Sequence, residues 1–313
     1  QTLRFIAERL AIRRDDLNIF AERWHRMALR WGAGEIENRR RALLVVHSYA
    51  DAVAVADTLM ITLEAQGYSD WRVLCLSRDR ADDAGGDSPF KPMRARELPR
   101  SLIERFGEEP ENSILVAPIQ IVARGHNILN SQGKAAISSI YFLHRPHPRP
   151  DDLGPIIGRL NRYALERFTS GTKLSTSKAD DTLSVRARRM RYAASNIVRY
   201  SLDNRSGYSG LSAEYKAQFA WDMITPIWQT VGRGIRGGCP VFIGFVDRQF
   251  APLSFDCGEG AKDTGHSSAL VQAMHQLTLA MDPTGNPTEY KVARLLYGPF
   301  CEALRKTEGL IHG

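Results

Sequence analysis

ALLVVHSYADAVAVADTLMITLEAQGYSDWRVLCLS, residues 42–77, is the stretch that decides the fold. Residues 42–48 form a short continuous apolar run rich in leucine and valine. Residues 49–67 read as an amphipathic helix closed at Gly67, and residues 71–77 return to a second apolar run. A fully apolar strand, a helix and another apolar strand are the signature of a parallel sheet covered on both faces, because strands buried on both sides lose the polar alternation. The alternation continues outward. LPRSLIERFG, 98–107, reads as a helix stopped by glycine; SILVAPI, 113–119, as a buried strand; ISSIYFLHRP, 137–146, as a strand stopped by prolines; and PVFIGFVD, 240–247, as the last strand. The fold class is α/β.

The flanks read as helical. Leu10, Leu17, Phe20, Trp24, Met27 and Trp31 recur at helical spacings until GAG at 32–34 ends the pattern. After the last strand, Leu270, Met274, Leu277 and Met281 form one helical stripe and Val292, Leu295, Leu296 and Phe300 another, both attributable to core packing. Residues 80–94 and 147–182 read as loops, the latter around one short helix. The expected organisation is a helical lead-in, 1–40; a sheet domain, 41–252, with a loop and helical insertion at 151–220; and a helical extension, 253–313.

Composition narrows the class. With 313 residues and 43% apolar side chains the chain buries a substantial core. No apolar run nears the roughly 20 residues that cross a bilayer, and charges throughout the first 30 residues exclude a signal peptide. A cytoplasmic protein with no membrane partner is expected. Cys75, Cys239, Cys257 and Cys301 are scattered without a C-x-x-C pair, the pattern of buried free thiols and not of a zinc site or a disulfide framework. The net charge of +7 is a weak pointer to phosphate polymers. The chain starts at Gln1 and not at methionine, as expected of a processed chain or a part of a longer one.

Three loops are candidates for the carboxyl ends of strands, where such sheets bind ligands. They are His47, Ser48 and Tyr49 after the first strand; QIVARGHNI, 120–128; and the glycine-rich turn in WQTVGRGIRGG, 228–238, with two arginines three residues apart. In that order RALLVVHSYADAVAVADTL, SILVAPIQIVARGHNI and WQTVGRGIRGG resemble motifs IV, V and VI of superfamily 2 helicases, over residues 41–250. The last matches Q-x-x-G-R-x-x-R at Gln229, Gly232, Arg233 and Arg236.

The resemblance implies the second RecA-like domain of an ATP-dependent helicase or translocase. It assigns Arg236 as an arginine finger, with Arg233 and Gln229 facing the same phosphate and Gly232 allowing close approach to the nucleotide. A permanently charged planar guanidinium suits the charge that develops during phosphoryl transfer. It also implies that Arg124, Gly125 and Asn127 bind ATP at the cleft between two RecA-like domains, and that Ser48 and His47 contact nucleic acid. Ser48 is equally well placed to cap the helix that follows. Two positions depart from the family: Asn127 replaces an aspartate, excluding a carboxylate role there, and Pro118 replaces a threonine or serine.

ATP hydrolysis also needs a G-x-x-x-x-G-K-[ST] loop and a D-E-x-[HD] box, and neither is in this chain. ATP and Mg2+ are therefore expected at a cleft shared with an N-terminal RecA-like domain, which would hold the magnesium ligands. The chain alone would be inactive. TLSVRARRMRYAASNIVRYSLDN, 182–204, reads as a helix with Leu183, Ala187, Met190, Ala194 and Ile197 on one face and Arg188, Arg191 and Arg199 on another. This basic stripe, with Arg145 in FLHRPHPRPDD, is a candidate track for nucleic acid, DNA in preference to RNA. His144 and His147 lack a third metal ligand at suitable spacing, and Asp256, Glu259 and Lys262 miss the nuclease spacing. The long insertion and the RGHNI…IYFLHRPHP run resemble large helicases of bacterial antiviral defence islands, including a DinG-related type. Two other readings stay open: a non-catalytic RecA-like scaffold or nucleic-acid-binding module, and a duplex translocase of a restriction or remodelling complex.

Overall fold

A computed structural model of the chain describes residues 2–13, 17–79, 91–146, 182–202, 208–211, 213–257, 261–285 and 287–306, with isolated positions between 157 and 164. The loop readings at 80–90 and 147–156, His147, Arg149, and the TSGTKLSTSKADD stretch lie outside the described residues.

Six strands, β1 (Arg41–Val46), β2 (Arg72–Ser77), β3 (Arg96–Pro99), β4 (Ser113–Pro118), β5 (Ser139–Phe142) and β6 (Phe242–Phe245), form one sheet in the order β3-β2-β4-β1-β5-β6. Every pairing is parallel. With its flanking helices this architecture is consistent with a RecA-like α/β fold.

All six residues of β1 and of β4 are buried, because each strand face meets its own core. Leu43 and Val45 of β1, with Leu115, Ala117, Ile140 and Phe142, pack on helix α6 (Ala213–Gly234), helix α8 (Ala269–Ala280) and the end of helix α9 (Pro287–Arg305), the short helix α7 (Pro252–Cys257) lying between α6 and α8 in the chain. Leu44 and Val46, with Ile114, Val116 and Tyr141, pack on helices α1 (Thr2–Ala11), α2 (Ile19–Trp31) and α3 (Tyr49–Ala65). The lead-in is thus fused to the sheet. Trp24 stacks on Trp71 with ring centroids 5.4 Å apart, and its indole N–H donates to Ser139 Oγ of β5 at 3.1 Å.

The structure departs from the sequence reading in several places. A sixth strand, β3, takes Leu98 and Pro99, so the helix expected at 98–107 is instead a 3-10 helix over Arg100–Glu108. The lead-in breaks into two helices, with Asn18 capping the second by accepting from the Ala21 N–H, and Leu17 and Trp31 of the expected stripe are exposed. In α9, Val292, Leu295 and Leu296 are 50%, 81% and 49% exposed, and Ala293, Phe300, Cys301 and Leu304 form the buried side. Core packing therefore accounts for Phe300 of that stripe and not for Val292, Leu295 and Leu296. Helix α5 (Leu183–Leu202) forms as expected, with Arg188, Arg191 and Arg199 exposed, but Ala187 of its apolar stripe is exposed too.

The most consequential difference concerns the glycine-rich turn. It lies between α6 and β6, at the amino end of β6, not at a carboxyl end. A helix that crosses between parallel strands runs back against them, so its last turn falls at the sheet edge where the next strand begins.

Candidate functional site

The site is built where α6 ends. Gly237 and Gly238 adopt φ of 76° and 73°, the left-handed region that glycine enters without strain, and the Gly238 N–H donates to the Ile235 carbonyl at 3.1 Å. This terminates the helix just after Arg233 and turns the chain into β6.

Arg233 is committed to a backbone contact. Its Nη2 donates to the Ala123 carbonyl at 3.0 Å and its Nε to the Val122 carbonyl at 3.4 Å. Those carbonyls close the short helix α4 (Ile119–Val122), the start of the ARGHNI stretch. The two sequence motifs, more than a hundred residues apart, therefore meet through one guanidinium. Burial, and then the neighbouring positive charge of Arg236, push the Arg233 pKa down.

Arg236 is different. Its carbonyl accepts from the Ala135 N–H at 3.1 Å, which fixes the backbone, while its half-buried guanidinium has no hydrogen bond or ion pair among the described residues. Gln229, one helical turn before Arg233, is exposed. A methyl group placed on Gly232 would meet nothing within 4 Å, so the space beside it is open.

Arg124, Gly125 and Asn127 are exposed on the adjoining loop, where Gly125 takes φ of 35°. The Asn127 N–H donates to Glu104 Oε1 at 2.7 Å, a contact from the 3-10 helix. His126 lies between them, its pKa lowered by burial and by the charges of Arg100 and Arg233 against the opposing pull of Glu104. Gly107 makes this packing possible, since a Cβ there would stand 1.9 Å from the Leu129 carbonyl oxygen. Glu104, Arg100 and His126 were not singled out from sequence, because nothing in LPRSLIERFG beyond its apolar stripe pointed toward the ARGHNI loop.

The carboxyl edge of the sheet carries a second, separate group. The Ser48 hydroxyl accepts from the Asp51 N–H at 3.1 Å and donates to Asp51 Oδ2 at 2.7 Å, a capping box on α3. The rings of His47 and His144 stand 6.2 Å apart, and His144 Nδ1 lies 3.8 Å from Asp247 Oδ2. Arg145 is half-buried and turned onto aromatic rings. Its guanidinium lies over the rings of Phe219 at 5.2 Å and Tyr208 at 5.9 Å, its Nε is buried without a partner among the described residues, and its pKa is lowered chiefly by burial. The structure thus brings Arg124, Gly125, Asn127, Gln229, Gly232, Arg233 and Arg236 to one region. It leaves Ser48, His47 and Arg145 past the carboxyl ends of β1 and β5, and Arg188 and Arg191 on α5.

The donor set at the first region is cationic and amide-rich, with Glu104 already bonded to the Asn127 N–H. Such a set fits the phosphates of a nucleotide. It does not fit a magnesium ion, which needs oxygen ligands of negative charge. Among the described residues no group of three or more His, Cys, Asp and Glu side chains is placed to hold a metal, and no helix is long and apolar enough to cross a membrane.

Fold and site together define an α/β protein with a parallel sheet and an arginine pair at one sheet edge. No protein-family profile matches the chain, and neither the curated proteins nor the solved structures include a detectable relative.

Proposed function

We propose that this chain is the second RecA-like half of a cytoplasmic, ATP-dependent superfamily 2 helicase or translocase, acting on nucleic acid and supplying an arginine finger to a nucleotide held mainly by a partner RecA-like domain. One observation carries the reading. Arg233 is spent on tying the ARGHNI loop to α6, while Arg236, three residues on, stands fixed by its backbone with its side chain uncommitted.

In this reading the two arginines have different tasks. Arg236 presents a guanidinium to the charge that develops on the γ-phosphate oxygens, where its planar fork makes two parallel donations. Arg233 holds the cleft-facing loop so that Arg124, the Gly125 backbone and Asn127 meet the nucleotide from the same side. Gln229 donates from one helical turn away, orienting the phosphate or the attacking water. The magnesium ion would neutralise the phosphates when bound, on ligands of the partner domain. The exposed Arg188 and Arg191 of α5 are proposed as sequence-independent phosphate contacts on the nucleic acid, DNA before RNA. A role in bacterial antiviral defence follows from the family resemblance alone.

The test is ATP hydrolysis by the full-length protein in the presence and absence of single-stranded DNA, duplex DNA and RNA. Stimulation by a nucleic acid is the expected result. Hydrolysis absent with all of them, with DNA binding retained, would replace the motor with a RecA-like binding module.

A further inference from the structure

Arg39, the first of three consecutive arginines, is one of the most buried side chains among the described residues, at 1% exposure. Its guanidinium meets backbone carbonyls and not an acid. Nε donates to Ala135 at 2.7 Å and Nη1 to Glu35 at 2.8 Å. Nη2 donates to Ile137 at 3.1 Å, Gly234 at 3.1 Å and Pro240 at 3.0 Å.

These five carbonyls are not a random sample of the chain. Gly234 lies between Arg233 and Arg236, Pro240 leads into β6, and Ala135 is the residue whose N–H holds the Arg236 carbonyl. Ala135 also closes the hairpin-like segment 128–136, through the Leu129 bridge to Ala135 and the Ala136 N–H to the Ile128 carbonyl at 3.1 Å. That segment continues directly from ARGHNI. Glu35 belongs to the turn at the end of the lead-in. One buried cation therefore ties the end of α6, the start of β6, the segment after ARGHNI and the lead-in.

Taking a guanidinium out of water is costly, and a frame built only for stability would do as well with apolar packing. A planar fork with donors on three nitrogens can bridge several carbonyls at fixed angles, which neither an apolar side chain nor a lysine ammonium reproduces. We propose that Arg39 is a positioning residue: it holds the turn at 234–238 in register with the segment 128–136 and thereby sets where the guanidinium of Arg236 stands. The statement that Arg236 then serves ATP hydrolysis rests on the function proposed above; the statement that Arg39 sets the turn does not.

Two variants and two readouts test it. Arg39→Lys keeps the charge but loses the fork. Gly234→Ala leaves Arg39 intact and displaces the same turn, since the added Cβ would stand 2.5 Å from Val241 Cγ2. Hydrogen exchange on the chain is expected to show the Ala135 and Gly238 amides losing about tenfold or more of their protection in either variant, equivalent to roughly one decade in the local opening constant. Leu44 and Val116 at the sheet centre stay protected. In the full-length protein, kcat for ATP is expected to fall about 100-fold at unchanged ATP affinity. Combining Arg39→Lys with Arg236→Ala should lower it no further than Arg236→Ala alone, as for two residues acting through one interaction.

Wild-type protection of both amides in a folded Arg39→Lys protein overturns the proposal, and so does an additive double variant. If Arg39→Lys does not fold, Arg39→Gln, neutral and still able to donate to a carbonyl but without the fork, decides by the same two readouts, with Gly234→Ala as the reference for a displaced turn. If the wild type shows no hydrolysis, or Arg236→Ala hydrolyses ATP normally, the functional reading fails, while the exchange readout still decides the positioning role.

Discussion

Arg233 and Arg236 are indistinguishable in a Q-x-x-G-R-x-x-R pattern, yet the structure separates them, and stability measurements can read the separation without any activity. Replacing Arg233 with alanine removes one good charge-assisted hydrogen bond, at 3.0 Å to Ala123, and one long one, at 3.4 Å to Val122. Bonds from charged groups contribute about 1.5–3 kcal/mol when well formed, and partial exposure discounts that to about 1–2 kcal/mol for the pair. For a domain of this size a kcal/mol moves the melting temperature by roughly 2–4 °C. Arg233→Ala should therefore melt about 2–8 °C below wild type. Arg236→Ala removes a guanidinium with no partner among the described residues and should melt within about 1 °C of wild type, as surface substitutions do. Scanning calorimetry on the chain with each variant measures both. Equal destabilisation by the two, or a larger loss for Arg236→Ala, would refute the assignment of one arginine to the frame and the other to the ligand.

Three further outcomes follow. Asp263 is buried, which opposes its ionisation, but the N–H groups of Leu253 and Ser254 and the hydroxyls of Ser254 and Ser267 outweigh burial and hold its carboxyl below the usual range. A carboxyl with a depressed folded pKa contributes stability above its unfolded value near 3.9 and loses it as pH falls through the folded one. Asp263→Asn should thus cost about 2 kcal/mol at pH 7, with the gap narrowing below about pH 3.9 in urea titrations. Gly107→Ala forces a Cβ onto the Leu129 carbonyl and should cost about 3 kcal/mol by denaturant midpoint. Arg188→Gln with Arg191→Gln should reduce the slope of log binding constant against log salt by about 0.9 per arginine on duplex DNA, measured by fluorescence anisotropy; an unchanged slope removes α5 from the nucleic-acid track.

The central strands were legible because a strand buried on both faces must be apolar throughout, and Leu43 and Leu44 do serve opposite cores. β3 was not legible. Arg96-Glu97-Leu98-Pro99 is short, lies at the sheet edge, exposes its first two residues and ends in a proline that an edge strand tolerates. The spacing of seven from Leu10 to Leu17 imitated one continuous helix across a break that Asn18, a good N-cap, could have announced. Periodicity identified α9 as amphipathic but could not say which stripe is covered, since that depends on helices elsewhere in the chain. The arginine pair was legible as a motif, and its place at the amino edge of the sheet was not, because the expectation was drawn from strand ends and not from the direction of the crossing helix. Arg39 carried no local signal at all. Four of its five acceptors are 96 to 201 residues away in sequence, and only the folded chain assembles them.

The central claim is that Arg236 acts on the transferred phosphate. Its most direct test is single-turnover ATP hydrolysis by the full-length protein with saturating DNA, wild type against Arg236→Ala, with ATP affinity measured on both. The account predicts a loss of about 10³-fold or more in the hydrolysis rate with little change in affinity, the range an arginine finger supplies. A rate within a few fold of wild type would contradict it and leave the glycine-rich turn as architecture.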